Sequence, residues 1–93
     1  MNMSEPSSRR IDVNAALGWL AELFETSPDD LSPETPRDAI ATWDSLGQLL
    51  LMSALDERFG IRLSQGEANG LRAVGDILGI LRRHGCLENG NAR

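Results

Sequence analysis

The chain has 93 residues, the size of one domain, and a formal net charge of −5 in which every basic residue apart from one histidine is arginine. Nucleic acids are bound by basic surfaces, so this acidic composition argues against a nucleic-acid partner. A single cysteine and a single histidine exclude an internal disulfide and a metal site built from such residues, and no apolar run has transmembrane length, so we expect a cytoplasmic protein.

The chain begins with a polar stretch, and residues 1–10 are predicted to form a flexible tail. The folded domain is predicted to span residues 11–85. Apolar residues recur at helical spacing after residue 12, which predicts a first helix that begins with Asp12 as its N-cap. Because a residue that precedes proline avoids the helical conformation, this helix is expected to end before Pro28.

A long loop is predicted over residues 26–42. Three prolines in this segment prevent a long helix, and its acidic residues outnumber the single basic one, Arg37. Loops of this length are uncommon in compact domains unless they have a function. We expect Leu31, Ile40 and Trp43 to hold the loop against the core.

A second helix is predicted from Ser45 to Phe59. Asp44 is expected to be its N-cap, and Gly60 the left-handed residue that ends it. The helix contains a run of four apolar residues, which is too short for a membrane span.

This helix also has more apolar residues than one buried face requires. Leu51, Leu55 and Phe59 recur at every fourth position and are predicted to face the core. Leu46 and Leu50 then share a different face, where exposed apolar side chains would mark an interaction surface. The pattern also allows Leu50 to pack beneath the preceding loop, and it does not decide between the two positions.

The remaining residues predict one short helix and one longer helix. Residues 64–70 include two glycines and can form only a turn or two, whereas the last helix is predicted from Ala73 to Arg83. Residues 86–93 are predicted to be a second flexible tail, with Cys86 as a surface thiol. The predicted fold is all-α, a four-helix bundle of three main helices and one short helix with a long loop after the first.

Asp44, Ser45 and His84 are the residue types of a catalytic triad, but the sequence has no G-x-S-x-G elbow and no base close to Ser45. Ser45 is instead predicted to lie exposed in the first turn of the second helix. The unpaired N–H groups of a helix N-terminus favour a phosphate there. The residues alone leave two interpretations open: Ser45 simply begins a helix, or its hydroxyl receives a phosphate ester.

The segment from Trp43 to Leu63 reads W-D-S-L-x-x-L-x-x-x-x-x-L-x-x-x-F-G-I-x-L. Together with the preceding helix and loop and the later EANGL and AVGDIL segments, it resembles the acyl carrier protein family. The resemblance extends over about residues 11–83. It implies a four-helix bundle, in agreement with the helices predicted from the residues alone.

The resemblance also implies a covalent carrier rather than an enzyme. By this match, Ser45 receives a 4′-phosphopantetheine arm from coenzyme A through a phosphopantetheinyl transferase. The thiol of the arm carries an acyl or aminoacyl group as a thioester, supplied by a loading enzyme and used by downstream synthase or modifying enzymes. We expect the carrier to be a monomer. The residues expected to contact partner enzymes are Asp44, Leu46, Leu50 and Leu71.

Several positions depart from what is common in carriers of fatty acid synthesis. Gly47, Gln48 and Leu50 stand where acidic residues are frequent, and Arg58 adds a positive charge. The departure implies a dedicated carrier in a specialised pathway, of polyketide, nonribosomal peptide or unusual acyl type. The competing interpretation is a helical interaction module that keeps the fold but carries nothing. The intact D-S-L sequence favours the carrier, because such a module does not need the serine.

Overall fold

The computed structural model describes residues 10–88, in which the regular structure is helical. Two single 3-10 turns, Pro28–Asp30 and Arg37–Ala39, lie in the loop between the first two α-helices. None of the helices in this range is long and apolar enough to cross a membrane. The all-α prediction is confirmed by the four α-helices, which are α1 (Val13–Leu23), α2 (Ser45–Phe59), α3 (Gln65–Asn69) and α4 (Val74–Arg83).

Local hydrogen bonds hold both ends of α1. At its start the Asp12 side chain accepts a hydrogen bond of 2.7 Å from the Ala15 N–H group, which confirms the predicted N-cap. At its end the Thr26 N–H group donates to the Ala21 carbonyl at 2.8 Å. Glu25, just before Thr26, takes the left-handed conformation with a φ of 57°. This arrangement ends the helix ahead of the first proline of the loop, as predicted.

The loop between α1 and α2 caps the start of α4. The Thr35 carbonyl accepts a hydrogen bond of 2.9 Å from the Val74 N–H group, and the Pro33 carbonyl accepts one of 2.8 Å from Gly75. A Cβ atom at residue 75 would lie 2.8 Å from the Pro33 carbonyl oxygen, so this close approach requires glycine. The first N–H groups of a helix have no partner within it, and the loop satisfies two of them here. The same bonds fix the loop in place.

The inner face of α2 lies at the centre of the core. Leu51 and Leu55 are fully buried and Phe59 is 3% exposed, so the predicted inward face is confirmed. The three loop residues predicted to hold the loop against the core, Leu31, Ile40 and Trp43, are buried as well. They belong to one hydrophobic cluster that also includes Ala16, Leu20, Ala21 and Phe24 near α1 and Val74, Ile77, Leu78, Ile80 and Leu81 of α4.

The short helix α3 begins with a capping box. The Ser64 hydroxyl accepts a hydrogen bond of 3.1 Å from the Glu67 N–H group, and the Glu67 carboxylate accepts one of 2.9 Å from the Ser64 N–H group. These bonds with Ser64 hold the pKa of Glu67 below its ordinary value. A helix of five residues is not stable alone in water, so α3 depends on this cap and on tertiary contacts.

The two ends of the described chain pair with each other. The Ile11 N–H group donates to the Cys86 carbonyl at 2.9 Å, and the Glu88 N–H group donates to the Ile11 carbonyl at 2.8 Å. Cys86 and Leu87 are buried, so the prediction of a surface thiol is wrong and the packed part of the chain extends beyond the predicted boundary at residue 85. The rest of the two predicted tails, residues 1–9 and 89–93, lies outside the described residues.

The burial of Leu55 leads to a prediction about stability. We expect Leu55→Ala to lower the free energy of unfolding by about 2–5 kcal/mol, because the substitution leaves a cavity in the core. Urea titration followed by circular dichroism measures the change. Leu49→Ala is the matched control on the same helix: its side chain is 57% exposed, and its substitution should change stability by less than about 0.5 kcal/mol. Equal effects of the two substitutions would contradict the assignment of the inner face.

Candidate functional site

Ser45 is the first residue of α2 and its side chain is exposed. The preceding Asp44 has an extended backbone, and its carboxylate accepts a hydrogen bond of 2.9 Å from the Gly47 N–H group. The Asp44 carbonyl accepts a second bond, of 2.8 Å, from the Gln48 N–H group. Asp44 is therefore the N-cap that the sequence predicts, and it fixes the point at which the Ser45 side chain projects from the helix.

The start of α2 is suited to an anion. Asp44 satisfies the N–H groups of Gly47 and Gln48, whereas no acceptor within residues 10–88 pairs with those of Ser45 and Leu46. The aligned peptide dipoles of a 15-residue helix add a partial positive charge at the same end. A phosphate ester on the Ser45 hydroxyl would lie next to these groups, and this is the chemistry that the position favours.

The loop packs tightly against the first turn of α2. A Cβ atom at Gly47 would overlap the Thr42 carbonyl oxygen, so the helix and the loop meet closely only because residue 47 has no side chain. The Thr42 hydroxyl donates a hydrogen bond of 2.6 Å to the carbonyl of Phe24, which follows α1. The residues just before Ser45 are thereby attached to both helices.

Trp43 connects this loop to the core. Its ring is stacked on that of Phe24, with 5.2 Å between the ring centroids and an interplanar angle of 23°. The Arg37 guanidinium lies 5.5 Å from the centroid of the Trp43 ring, and the Nε atom of Arg37 donates a hydrogen bond of 3.0 Å to the Trp43 carbonyl. Arg37, the one basic residue of the acidic loop, thus holds the backbone two residues before Ser45.

Gln48 joins the loop to α3. It is buried, its side-chain oxygen accepts a hydrogen bond of 2.8 Å from the indole nitrogen of Trp43, and its side-chain nitrogen donates to the Ala68 carbonyl. Sequence analysis treats Gln48 only as a departure from an acidic helix and does not predict its burial. Its spacing could have shown this, because Gln48 stands three residues before Leu51, on the inward face of α2.

Three leucines next to Ser45 are exposed and form a surface that we call the leucine patch. The exposed fractions are 65% for Leu46, 57% for Leu49 and 48% for Leu50. The structure thus decides the position of Leu50, which lies on the surface rather than beneath the loop. Sequence analysis missed Leu49, although the four-residue apolar run of α2 was a clue, since four consecutive helical residues cannot all face inward.

Leu71, the remaining residue predicted to contact partners, lies in a different environment. It follows α3 and is only 5% exposed, as part of the hydrophobic cluster. Almost none of its side chain is available to a partner in this conformation. The structure thus groups Asp44, Leu46 and Leu50 around Ser45 and separates Leu71 from them by burial.

The chain is similar in sequence to a known protein. No family model matches the chain. A curated protein named acyl carrier protein, from Chlamydia trachomatis serovar L2, is 29% identical to the chain over 73 residues. The match covers 78% of this chain and 91% of that protein, so the similarity extends over most of both chains.

The bridging role of Gln48 leads to a second prediction. We expect Gln48→Leu to lower the free energy of unfolding by about 1–3 kcal/mol, because it leaves the buried indole N–H of Trp43 without an acceptor and removes one of the donors to the Ala68 carbonyl. Urea titration measures the change, and the indole N–H resonance of Trp43 should shift. Gln65→Leu, at an exposed glutamine of α3, is the control and should stay within about 0.5 kcal/mol of the wild type. An unchanged indole resonance in Gln48→Leu would contradict the hydrogen bond.

Proposed function

We propose that this chain is a member of the acyl carrier protein family and that it carries an acyl or aminoacyl group as a thioester on a 4′-phosphopantetheine arm attached to Ser45. The observation that carries the proposal is the position of Ser45. Its exposed hydroxyl stands at the start of a long helix, beside two N–H groups that have no acceptor within residues 10–88. The Ser45 hydroxyl would form the ester, and the N–H groups of Ser45 and Leu46 would face the phosphate.

The chemistry of attachment needs little from the chain itself. A new bond forms between the Ser45 oxygen and the phosphorus that bears the pantetheine group. The pyrophosphate bond of coenzyme A breaks, adenosine 3′,5′-bisphosphate leaves, and the hydroxyl proton passes to a base of the transferase. A serine that attacks without help needs a base beside it, so the proposal assigns that base to the partner enzyme. When bound, the arm supplies the thiol that holds the cargo.

The leucine patch is the proposed contact surface for partner enzymes. Its three side chains lie on the first turns of α2, next to the attachment point, and exposed apolar surface of this kind marks interaction sites. Asp44 would add negative charge that steers a basic partner towards Ser45. The proposed contact residues are therefore Asp44, Leu46, Leu49 and Leu50. The burial of Leu71 argues against including it.

We propose further that the carrier serves a specialised pathway, of polyketide, nonribosomal peptide or unusual acyl type. The support is Leu50, an exposed apolar residue at a position where acids are frequent in carriers of fatty acid synthesis. Arg58 also differs from the acidic residues that are common in the second helix of those carriers. Its guanidinium lies 5.8 Å from the ring centroid of Trp19 and 5.4 Å from that of Phe59. A partner that recognises this α2 would rely on apolar contact more than on charge.

The attachment at Ser45 leads to a direct prediction. Incubation with coenzyme A and a broad-specificity phosphopantetheinyl transferase should add one phosphopantetheinyl group to the wild type and none to Ser45→Ala, as measured by intact mass. Ser53→Ala, an exposed serine on the same helix, is the matched control and should be modified like the wild type. Circular dichroism should show that both variants remain folded. A wild type that gains no mass would favour the competing interpretation, an interaction module that carries nothing.

The leucine patch leads to a prediction about loading. We expect Leu50→Glu to leave the melting temperature nearly unchanged, because the side chain is already exposed. It should lower kcat/KM for loading by the cognate enzyme about tenfold, or about 1.4 kcal/mol, because a charge replaces apolar contact. Leu50→Met keeps the apolar character and should be loaded like the wild type. Unfolding of Leu50→Glu, or loading at the wild-type rate, would contradict the proposed surface.

A further inference from the structure

A polar recess lies between the loop that precedes α2 and the segment that follows α3. Its volume is about 500 Å³, and the residues that line it are Arg37, Asp38, Asn69, Leu71 and Arg72. The lining holds two guanidinium groups and one carboxylate, so the recess is net positive on a chain whose formal net charge is −5. The recess therefore attracts anions, although the chain as a whole repels them.

Backbone pairing holds the two arginines next to each other. The Arg37 N–H group donates a hydrogen bond of 2.7 Å to the Arg72 carbonyl, and the neighbouring residues Pro36 and Ala73 form an antiparallel bridge. The two side chains thus start from adjacent backbone positions and line the same recess, although they are distant in sequence. Two like charges that are held close repel each other, and an anion between them would relieve this repulsion.

Most hydrogen-bond donors of the recess are unused. The Nε atom of Arg37 donates to the Trp43 carbonyl, which leaves the two terminal nitrogens of that side chain. The exposed side chains of Arg72 and Asn69 have no partner among residues 10–88, and neither arginine forms an ion pair with Asp38. A guanidinium group matches the geometry of a carboxylate, to which it can donate two parallel hydrogen bonds. The recess can therefore bind one anionic group through several N–H donors.

The recess adjoins the start of α2. The carbonyl that Arg37 holds belongs to Trp43, two residues before Ser45. On the α3 side, Asn69 directly follows the residue whose carbonyl accepts a hydrogen bond from Gln48 of α2. A protein–protein interface of standard size covers about 800 Å² of each partner. An enzyme that docks on the leucine patch to reach Ser45 can therefore cover the recess as well.

We propose that the recess receives the carboxylate of an aspartate or glutamate side chain of a partner enzyme, while the leucine patch meets an apolar surface of the same enzyme. The inference rests on the proposed function for the nature of the partner. A carboxylate fits better than a phosphate, because Asp38 repels a doubly charged group about twice as strongly as a singly charged one. Asp44 and Arg72 favour opposite charges on the partner, so together they fix the orientation in which the enzyme approaches Ser45.

A peptide with one carboxylate tests the recess on the unmodified protein. The ¹⁵N-labelled chain is titrated, at the same low ionic strength, with the end-blocked peptide Ala-Glu-Ala, with its neutral counterpart Ala-Gln-Ala, and with inorganic phosphate. We expect saturable amide shifts at Arg37, Asn69 and Arg72 with the glutamate peptide and none with the glutamine peptide. Equal shifts with both peptides, shifts with neither, or tighter binding of phosphate would each overturn the proposal.

Two variants with the same change of charge show whether the recess itself binds the peptide. Arg72→Gln should abolish the shifts at Arg37 and Asn69. Arg82→Gln, at an exposed arginine of α4 that does not line the recess, should retain them. Both side chains are exposed, so both variants should remain folded, as circular dichroism can verify. Equal loss would indicate a general effect of net charge and equal retention a different binding site, and either result would overturn the proposal.

The loading reaction tests whether the recess serves docking. Arg72→Glu should lower kcat/KM for loading by the cognate enzyme about tenfold, mainly through a higher KM, because an attractive contact becomes repulsive. Arg82→Glu is the matched control and should be loaded like the wild type. Equal rates for the two variants would overturn the proposal and leave the attachment at Ser45 intact, since intact mass shows that each protein carries its arm. A wild type that gains no arm overturns the proposed function, and the docking role of the recess with it.

Discussion

The hydrogen bonds of Gln48 are the interaction on which the rest of the site depends. Its buried amide accepts a hydrogen bond from the indole N–H of Trp43 and donates one to the Ala68 carbonyl, so it joins the loop, α2 and α3 at one point. Trp43 in turn stacks on Phe24, and its carbonyl is held by Arg37. A buried polar network is stable only when each member is satisfied, and a satisfied network permits a single arrangement. The backbone that precedes Ser45 is therefore held rigidly, although it belongs to a loop.

The leucine patch beside Ser45 is not required for folding. The inward residues of α2 already fill the part of the core beneath this helix, yet three more of its leucines are exposed to water. Exposed apolar side chains contribute little to the stability of the isolated domain and raise its tendency to associate. Exposure of these side chains to water is unfavourable, and a partner that docks on the patch would remove them from water.

The sequence predicts α2 well because its signals are local. Asp44 and Gly60 lie next to the helix ends that they determine, and the period of the inward residues is contained within the helix. The role of Gln48 was not predictable in the same way, because the group that it binds lies 20 residues further along the chain. The spacing of Gln48 indicates its inward position, but the partners that satisfy a buried polar side chain are distant in sequence.

The pairing of Ile11 with Leu87 joins residues from opposite ends of the described chain, and no local pattern could reveal it. Its consequence is mechanical. The chain enters and leaves the bundle at one place, so any covalent extension at either end would attach to the domain at a single point rather than across its length. A body held at one point can swivel, whereas a body held at two separated points cannot. Such a pivot would let the Ser45 side of the domain turn through a wide arc.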